Sequence, residues 1–443
     1  MKVVIVSPKL YTYGALLIAG ILKSEGYQVS LINEFNIEKV SKADVVGLSF
    51  ASTLNLLEAK GFISRLKLGS NPPFMVLGGP VGQVPALVFA HLPEIDAVVV
   101  GEGEETVLEL LKTFEAKGDL ETVSGIAFRD GNEVIITPPK GSVNLDGRPL
   151  PFITTDLQNQ DIRSANTVIE THRGCFGNCT FCQVPNMFKH KIRSRPIEDI
   201  VQEAKWFVKN NVSKIGMSLS TVSQYGWDVG LNEDAFVRLL KEISEVVGPS
   251  NLAVPDIRVD MVSEEILKAI KNYTAGYVVF GIESGSDKIL KKMKKGISVD
   301  MVTDACDLAR KAGLKVVGSF VTGYPGETEE DHAMTTDLVG DLMLDDAWVN
   351  IACPIPGTEL GDEVVKLPVE ENPVFIKDQG SIGLRHDLTV SEFRSLDLCL
   401  CAAAAAPIPF PLSDGLYAEF LKGVKSQHEE VVLCTNIIRG FYL

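Results

Sequence analysis

ETHRGCFGNCTFCQVPNMFK, residues 170–189, gathers three of the chain's eight cysteines into eight positions: Cys175, Cys179 and Cys182, in a CxxxCxxC spacing among small residues. Three thiolates this close leave one position of a four-coordinate metal open, whereas a closed zinc site normally takes four protein ligands, with a second pair further along. No second CxxC pair follows in this chain. Thiolates also hold iron–sulfur clusters, and a four-iron cube gripped by only three of them keeps one iron free to bind something else. The spacing points to a [4Fe-4S] cluster with an open corner; a zinc loop or three reduced buried thiols are the alternatives.

Around this loop the chain has 443 residues, 45% of them hydrophobic, which is enough for two or three domains with large cores. A formal charge of −16 disfavours a nucleic-acid partner, which would call for a basic stripe. The basic run Lys291 to Lys295 reads as a solvated helix end. MKVVIVSPK lacks the layout of a secretion signal, and no uninterrupted apolar run reaches the roughly 18 residues of a membrane span. CLCAAAAAPIPFPL, the longest candidate, is broken by prolines. These features predict a soluble, cytoplasmic protein in a reducing compartment, with no membrane partner.

Upstream, VVIVSP, VSLIN, ADVVGLSFAS, FMVLGGP and AVVVGEG alternate with helical stretches such as GALLIAGILKSEG, the rhythm of a Rossmann-like parallel sheet over residues 1–140. Ligands of such sheets sit at the loops beyond the strands' carboxyl ends, here 7–14, 49–55, 78–85 and 101–106. No GxGxxG follows the first strand, which removes the main support for a nicotinamide cofactor. GIAFRDGNEVIITPP reads as two strands around Asp130, Gly131 and Asn132, and the Pro-rich residues 141–165 as a linker. Over residues 166–360, NTVIETH, KIGMSLS, LAVPDIR, GYVVFGIES, LKVVGSFVTG and AWVNIACP alternate with amphipathic helices. Six repeats predict a partial (β/α)6 TIM barrel, with one side open and its reactive groups at the strands' carboxyl ends. Residues 361–443 form a small C-terminal domain suited to capping that side. Cys306, Cys399, Cys401 and Cys434 lie in apolar patterns that favour packing, and Cys353, at the sixth strand's end, is the candidate for a catalytic thiol.

The cysteine triad, with Phe181 just before its last member, resembles the signature of the radical S-adenosylmethionine superfamily. GGP and GEGEE in the N-terminal sheet resemble the cobalamin-binding domain of one large class within it, and CPIPGTEL resembles that class's sixth-strand end. The resemblance covers about residues 1–360. It implies that Cys175, Cys179 and Cys182 hold the [4Fe-4S] cluster, with S-adenosylmethionine on its free iron. It further implies contacts to that cofactor from Phe181, Ser218, Ser220, Arg258, Glu283, Ser284 and Gly323. Ser218 and Ser220 stand where the family often has GGE, so their hydroxyls or the backbone must substitute. Ser49, Ser52, Gly78, Gly79, Gly101 and Glu102 would line cobalamin. Tyr11 takes the place, relative to Gly14, of the histidine that related cobalamin domains give to cobalt, so it or its neighbours would face cobalt's lower side.

The implied activity is methylation of an unactivated carbon, with an external low-potential electron donor. The opening MKVVIVSPKLYTYGALLIAG resembles members of the class from methanogens, which implies a protein or peptide substrate, specifically a glutamine of methyl-coenzyme M reductase. Methylation or rearrangement of a small metabolite or lipid is one alternative, and a non-catalytic cobalamin or iron–sulfur sensor another. Sulfur insertion would call for an N-terminal domain with its own cysteines, whereas the first cysteine here is Cys175.

Overall fold

The structure is a computed structural model that describes residues 1–217, 220–227, 230–254, 256–378, 387–408 and 411–443. It divides into two compact units, Met1–Gly174 with Asn186–Ser218, and Cys175–Pro185 with Leu219–Leu443.

In the first unit the strands are β1 (Lys2–Val6), β2 (Gln28–Ile32), β3 (Val45–Ser49), β4 (Phe74–Gly78), β5 (Ala97–Val99), β6 (Ile126–Asp130) and β7 (Glu133–Ile136). They form one sheet in the order β2-β1-β3-β4-β5-β6-β7. The first five pair in parallel, with Val4 opposite Ser30 and Val46 and Leu77 opposite Val98. Helices covering a parallel sheet bury both faces of its strands, which is why β1 and β3 to β5 are nearly continuous runs of Val, Ile and Leu. Val4, Val6, Val46, Leu77 and Val98 are fully buried. The β6–β7 hairpin turns at Gly131, as the DGN signal predicts, and adds two antiparallel strands to the edge. The helix Tyr13–Ser24 starts where the Thr12 hydroxyl accepts the Ala15 amide, which fixes the loop after β1.

The same unit carries β8 (Thr167–Ile169), parallel to β11 (Ile215–Met217), and a short antiparallel ladder of β9 (His172–Arg173) with β10 (Arg193–Ser194). A network of charges is buried here. Glu170 lies 2.6 Å from Arg148 and 2.8 Å from Arg173; Arg173 also reaches Glu102 and Glu104, and Arg195 meets Glu203 at 2.7 Å.

The second unit contains β12 (Leu252–Ala253), β13 (Tyr277–Glu283), β14 (Lys315–Thr322) and β15 (Asp346–Ile351). The last three form a parallel sheet, and Ile257 bridges to Phe280 beside it. Helices Glu264–Tyr273, Val299–Lys311 and Glu329–Leu342 alternate with these strands. Val302, Ala305, Cys306 and Ala309 form the buried face of the second helix, so the Cys306 thiol is a core group pushed up to about 12 by burial. The six predicted strand–helix repeats are all present, giving an α/β fold: a Rossmann-like sheet followed by the repeats of a partial barrel. The C-terminal helices are Val390–Ala405 and Asp414–Tyr442, and the first packs on β15 and the 329–342 helix. Among the described residues, no helix is long and apolar enough to cross a membrane.

Candidate functional site

The cysteine loop lacks regular structure, and its sulfurs are therefore set by neighbours. The Gly177 amide donates to Cys175 Sγ at 3.4 Å, and the Gln224 side-chain amide approaches the same sulfur at 3.4 Å. Arg258 Nη1 lies 4.0 Å from Cys179 Sγ. Burial pushes the Cys179 thiol up while the Lys295 and Arg258 charges pull it down, and burial holds Cys182 at about 11. Among the described residues no group of three or more His, Cys, Asp or Glu side chains has closed on a common metal position. The donor set nonetheless fits a cluster, with none of the three thiols in a disulfide, amide donors on one sulfur and a cation facing another.

Arg258 is itself tightly held. Its guanidinium makes two bonds to Asp260, at 2.8 and 2.9 Å, and one to the Lys295 carbonyl at 2.6 Å. It also lies over the Phe176 ring at 5.1 Å, and that ring stacks on Trp227 at 5.0 Å. The arginine faces the sulfurs as a fixed positive group.

Glu283 ends β13 in a left-handed conformation, φ 66°, where the strand register shifts. A non-glycine residue strained in this way is a common mark of a functional position. Its carboxylate meets Lys295 Nζ at 2.6 Å, both side chains being buried. Burial opposes the Lys295 charge, but Glu283 and the Cys179 sulfur outweigh it and raise the lysine pKa. The solvated helix end expected for Lys291 to Lys295 is thus corrected at its last residue, while Lys292 and Lys294 pair with Glu363 and Glu359 nearer the surface. Ser284 is fully buried, its hydroxyl 3.3 Å from Thr335 and accepting the Ser286 amide.

The turn after β14 is fixed by a second buried pair. The Gly323 amide donates to Glu327 Oε2 at 2.8 Å, and Arg394 of the C-terminal helix donates to that oxygen and to the Glu327 carbonyl, both at 2.9 Å. Burial raises the Glu327 pKa against the pull of Arg394. Replacing Arg394 by Met strands a carboxylate only 1% exposed, and is expected to cost the second unit about 3–5 kcal/mol, read as a lower melting temperature. Tyr324 next to Gly323 shares a 2.6 Å hydrogen bond with Thr180 of the cysteine loop. Phe181 packs against the core of Ile289, Met293 and Tyr324. Ser220 is half-buried ahead of the Val222–Gln224 turn, and Ser218 lies outside the described residues.

Cys353 packs against Ile351, Val374, Leu388 and their neighbours. A hydrogen bond with Cys434, together with burial, drives its pKa far above the ordinary cysteine value. This is a packing environment, unlike the electropositive, accessible setting of a reactive thiol. Cys353→Ala should therefore leave cleavage of S-adenosylmethionine within about twofold of wild type, measured as 5′-deoxyadenosine release, with only a modest cavity cost.

At the Rossmann-like sheet, Ser49 Oγ meets Thr12 Oγ1 at 3.3 Å, joining the loops after β1 and β3. Ser52 bonds within its own turn, to the Leu54 amide and Asn55. Gly79 has φ 86°, and a Cβ there would stand 2.8 Å from the Phe50 carbonyl, so only glycine lets β4 end this way. Gly78, beside it, leaves ordinary contact room toward Val99. Gly101, at φ 91°, would direct a Cβ into open space beyond β5, with no atom within 4 Å. Open space at the strands' carboxyl ends is where the ligand of such a sheet sits, and it leaves room for one as large as cobalamin. Two predicted contacts are otherwise engaged. Glu102 is held by Arg173 and Arg193, and the buried Tyr11 hydroxyl bonds Asp156 at 3.0 Å, which with burial pushes its pKa to about 12.

Two family models match the chain: the radical SAM superfamily over residues 169–339 and the B12 binding domain over residues 3–111. The chain belongs to the radical SAM superfamily, in the class that carries an N-terminal cobalamin-binding domain, and is an enzyme whose cofactors are a [4Fe-4S] cluster, S-adenosylmethionine and cobalamin. Among its relatives is "Putative methylthiotransferase MJ0865" of Methanocaldococcus jannaschii, 44% identical over 99% of this chain and 96% of the relative. "Uncharacterized methyltransferase PH0819" of Pyrococcus horikoshii is 31% identical over 73% of this chain and 69% of its own length. The fold is shared with the radical S-adenosylmethionine methyltransferase TsrM from Kitasatospora setae, with cobalamin and cluster bound. That match has a TM-score of 0.73 at 15% identity and covers 98% of this chain and 99% of the other. It is shared too with the cobalamin-dependent S-adenosylmethionine radical enzyme OxsB, TM-score 0.68 at 16% identity, covering 99% and 79%.

Gln224, Lys295 and Arg394 are the neighbours of the site that sequence reasoning did not find. They act on Cys175, Glu283 and Glu327, which lie 49, 12 and 67 positions away in the chain respectively.

Proposed function

We propose that the chain is a cobalamin-dependent C-methyltransferase acting on an unactivated carbon of a protein or peptide, specifically a glutamine of methyl-coenzyme M reductase. The observation that supports it most is the presence in one chain of a B12-type sheet, open beyond β5 at Gly101, and of three clustered cysteines outside any disulfide, one of them beside the fixed cation Arg258. When bound, the three cofactors supply electron transfer, hydrogen abstraction from carbon and the methyl group. The protein's own part is to hold and to orient. Cys175, Cys179 and Cys182 would be the cluster's ligands. Glu283, fixed by Lys295, would accept vicinal hydroxyls of the S-adenosylmethionine ribose, since a carboxylate accepts but does not donate. The turn Gly323 to Glu327, held by Arg394, would support the adenine.

The experiment is anaerobic incubation of reconstituted protein with both small cofactors, a reductant and a peptide containing the reductase glutamine, followed by mass spectrometry. Gain of one methyl group on the glutamine supports the full reading. An unmodified peptide removes this substrate, and a product of unchanged mass from another substrate would favour rearrangement. A second reading, methylthio transfer, is favoured by the name of the 44% identical relative. It predicts gain of sulfur with the methyl group. The absence of any cysteine from residues 1–174 weighs against it, because the sheet then offers no thiolate to hold a sulfur source.

A further inference from the structure

Gln224 closes the short turn Val222–Gln224 and is completely buried. Its amide nitrogen points at two sulfurs, Cys175 Sγ at 3.4 Å and Met261 Sδ at 3.7 Å. Sulfur in a thiolate or thioether only accepts, so the nitrogen is the end that must face it. The oxygen is thereby turned elsewhere, and Gln224 Oε1 has no hydrogen-bond partner among the described residues. That oxygen has no exposed surface, so the end of Gln224 that serves the cysteine loop is its nitrogen.

We propose that Gln224 is a positioning residue that tunes the cluster: its N–H donates to the Cys175 sulfur. The inference rests on the reading of this loop as a cluster site and adds to it a residue that the sequence did not mark. A hydrogen bond to a cluster sulfur stabilises the more negative, reduced state, so it raises the reduction potential. Outer contacts of this kind commonly change affinity or activity by about 10–100-fold.

The test compares reconstituted wild type with Gln224→Leu, which removes both polar ends without leaving a buried amide unsatisfied. Potentiometric titration followed by electron paramagnetic resonance, without S-adenosylmethionine, reads the donor end. The reduction equilibrium of the variant should shift about tenfold toward the oxidised cluster, equivalent to about 59 mV for one electron. Gln224→Met, closer in length, serves if the leucine variant takes up less iron. An unchanged potential overturns the assignment. Wild-type protein that took up no cluster would count against the proposed function instead, so the two failures are distinguishable.

Discussion

Cys179→Ala abolishes the iron–sulfur centre. After anaerobic reconstitution the variant should hold less than about a tenth of the wild-type iron and sulfide, and 5′-deoxyadenosine release should disappear, because a cube left with two protein thiolates loses the ligand set on which its binding depends. Cys179 is the most telling of the three cysteines: Arg258 approaches its sulfur at 4.0 Å, and Lys295 and Arg258 both act on its charge. Arg258 and Lys295 keep their own carboxylate partners, Asp260 and Glu283, in the variant. The overall fold should survive, since Cys179 belongs to a loop without regular structure and replaces no core contact. Circular dichroism like that of wild type alongside the loss of iron would establish that the effect is on ligation. Retained iron would mean that Cys179 is not a ligand.

Glu170→Gln should produce a large loss of stability. The carboxylate is 2% exposed and lies between Arg148 and Arg173, so its removal leaves two buried guanidinium groups short of their partner, at a cost of about 3–5 kcal/mol. The same side chain sets a pH dependence. Burial alone would raise the pKa of Glu170, but Arg173 and Arg148 more than offset this and bring it from 4.5 to about 2. Because the folded value is the lower one, the stabilisation is complete above the unfolded value and disappears as pH falls from about 4.5 through 2. Over that range it amounts to about 3 kcal/mol. Melting temperatures measured between pH 7 and 3 should therefore fall less steeply for the variant than for wild type, from a lower starting point. Glu264→Gln is the control: its pair with Lys268 is solvent-exposed, and its loss should leave the melting temperature nearly unchanged. Parallel curves for wild type and Glu170→Gln would show that the network does not carry this stability.

Much of this architecture is written locally in the chain. The apolar runs of β1, β3, β4 and β13 to β15 announce a parallel sheet because both faces are covered, and the DGN turn announces its hairpin. The cysteine spacing is local as well. What escapes a reading by pattern is any role that depends on a distant partner. Lys295 looks like the end of a basic, solvated helix until Glu283, reached through the bulge in β13, draws it into the interior. Glu102 looks like a cofactor contact in a Gly-rich loop, yet Arg173 and Arg193 lie 71 and 91 positions along the chain and claim it. Gln224 sits in a polar turn that gives no sign of a sulfur 49 positions upstream. Cys353 has the right place at a strand end for a reactive thiol, and its apolar surroundings come from the C-terminal helices, whose docking no periodicity reveals.

The measurement that bears most directly on the central claim is the product stoichiometry of S-adenosylmethionine consumption, with cobalamin supplied or withheld, under anaerobic reduction and with the glutamine peptide present. Cobalamin-dependent methylation by this chain predicts S-adenosylhomocysteine, 5′-deoxyadenosine and methylated peptide in equal amounts, all dependent on cobalamin. Methylated peptide formed at the same rate without cobalamin, or 5′-deoxyadenosine released with no S-adenosylhomocysteine, would contradict it.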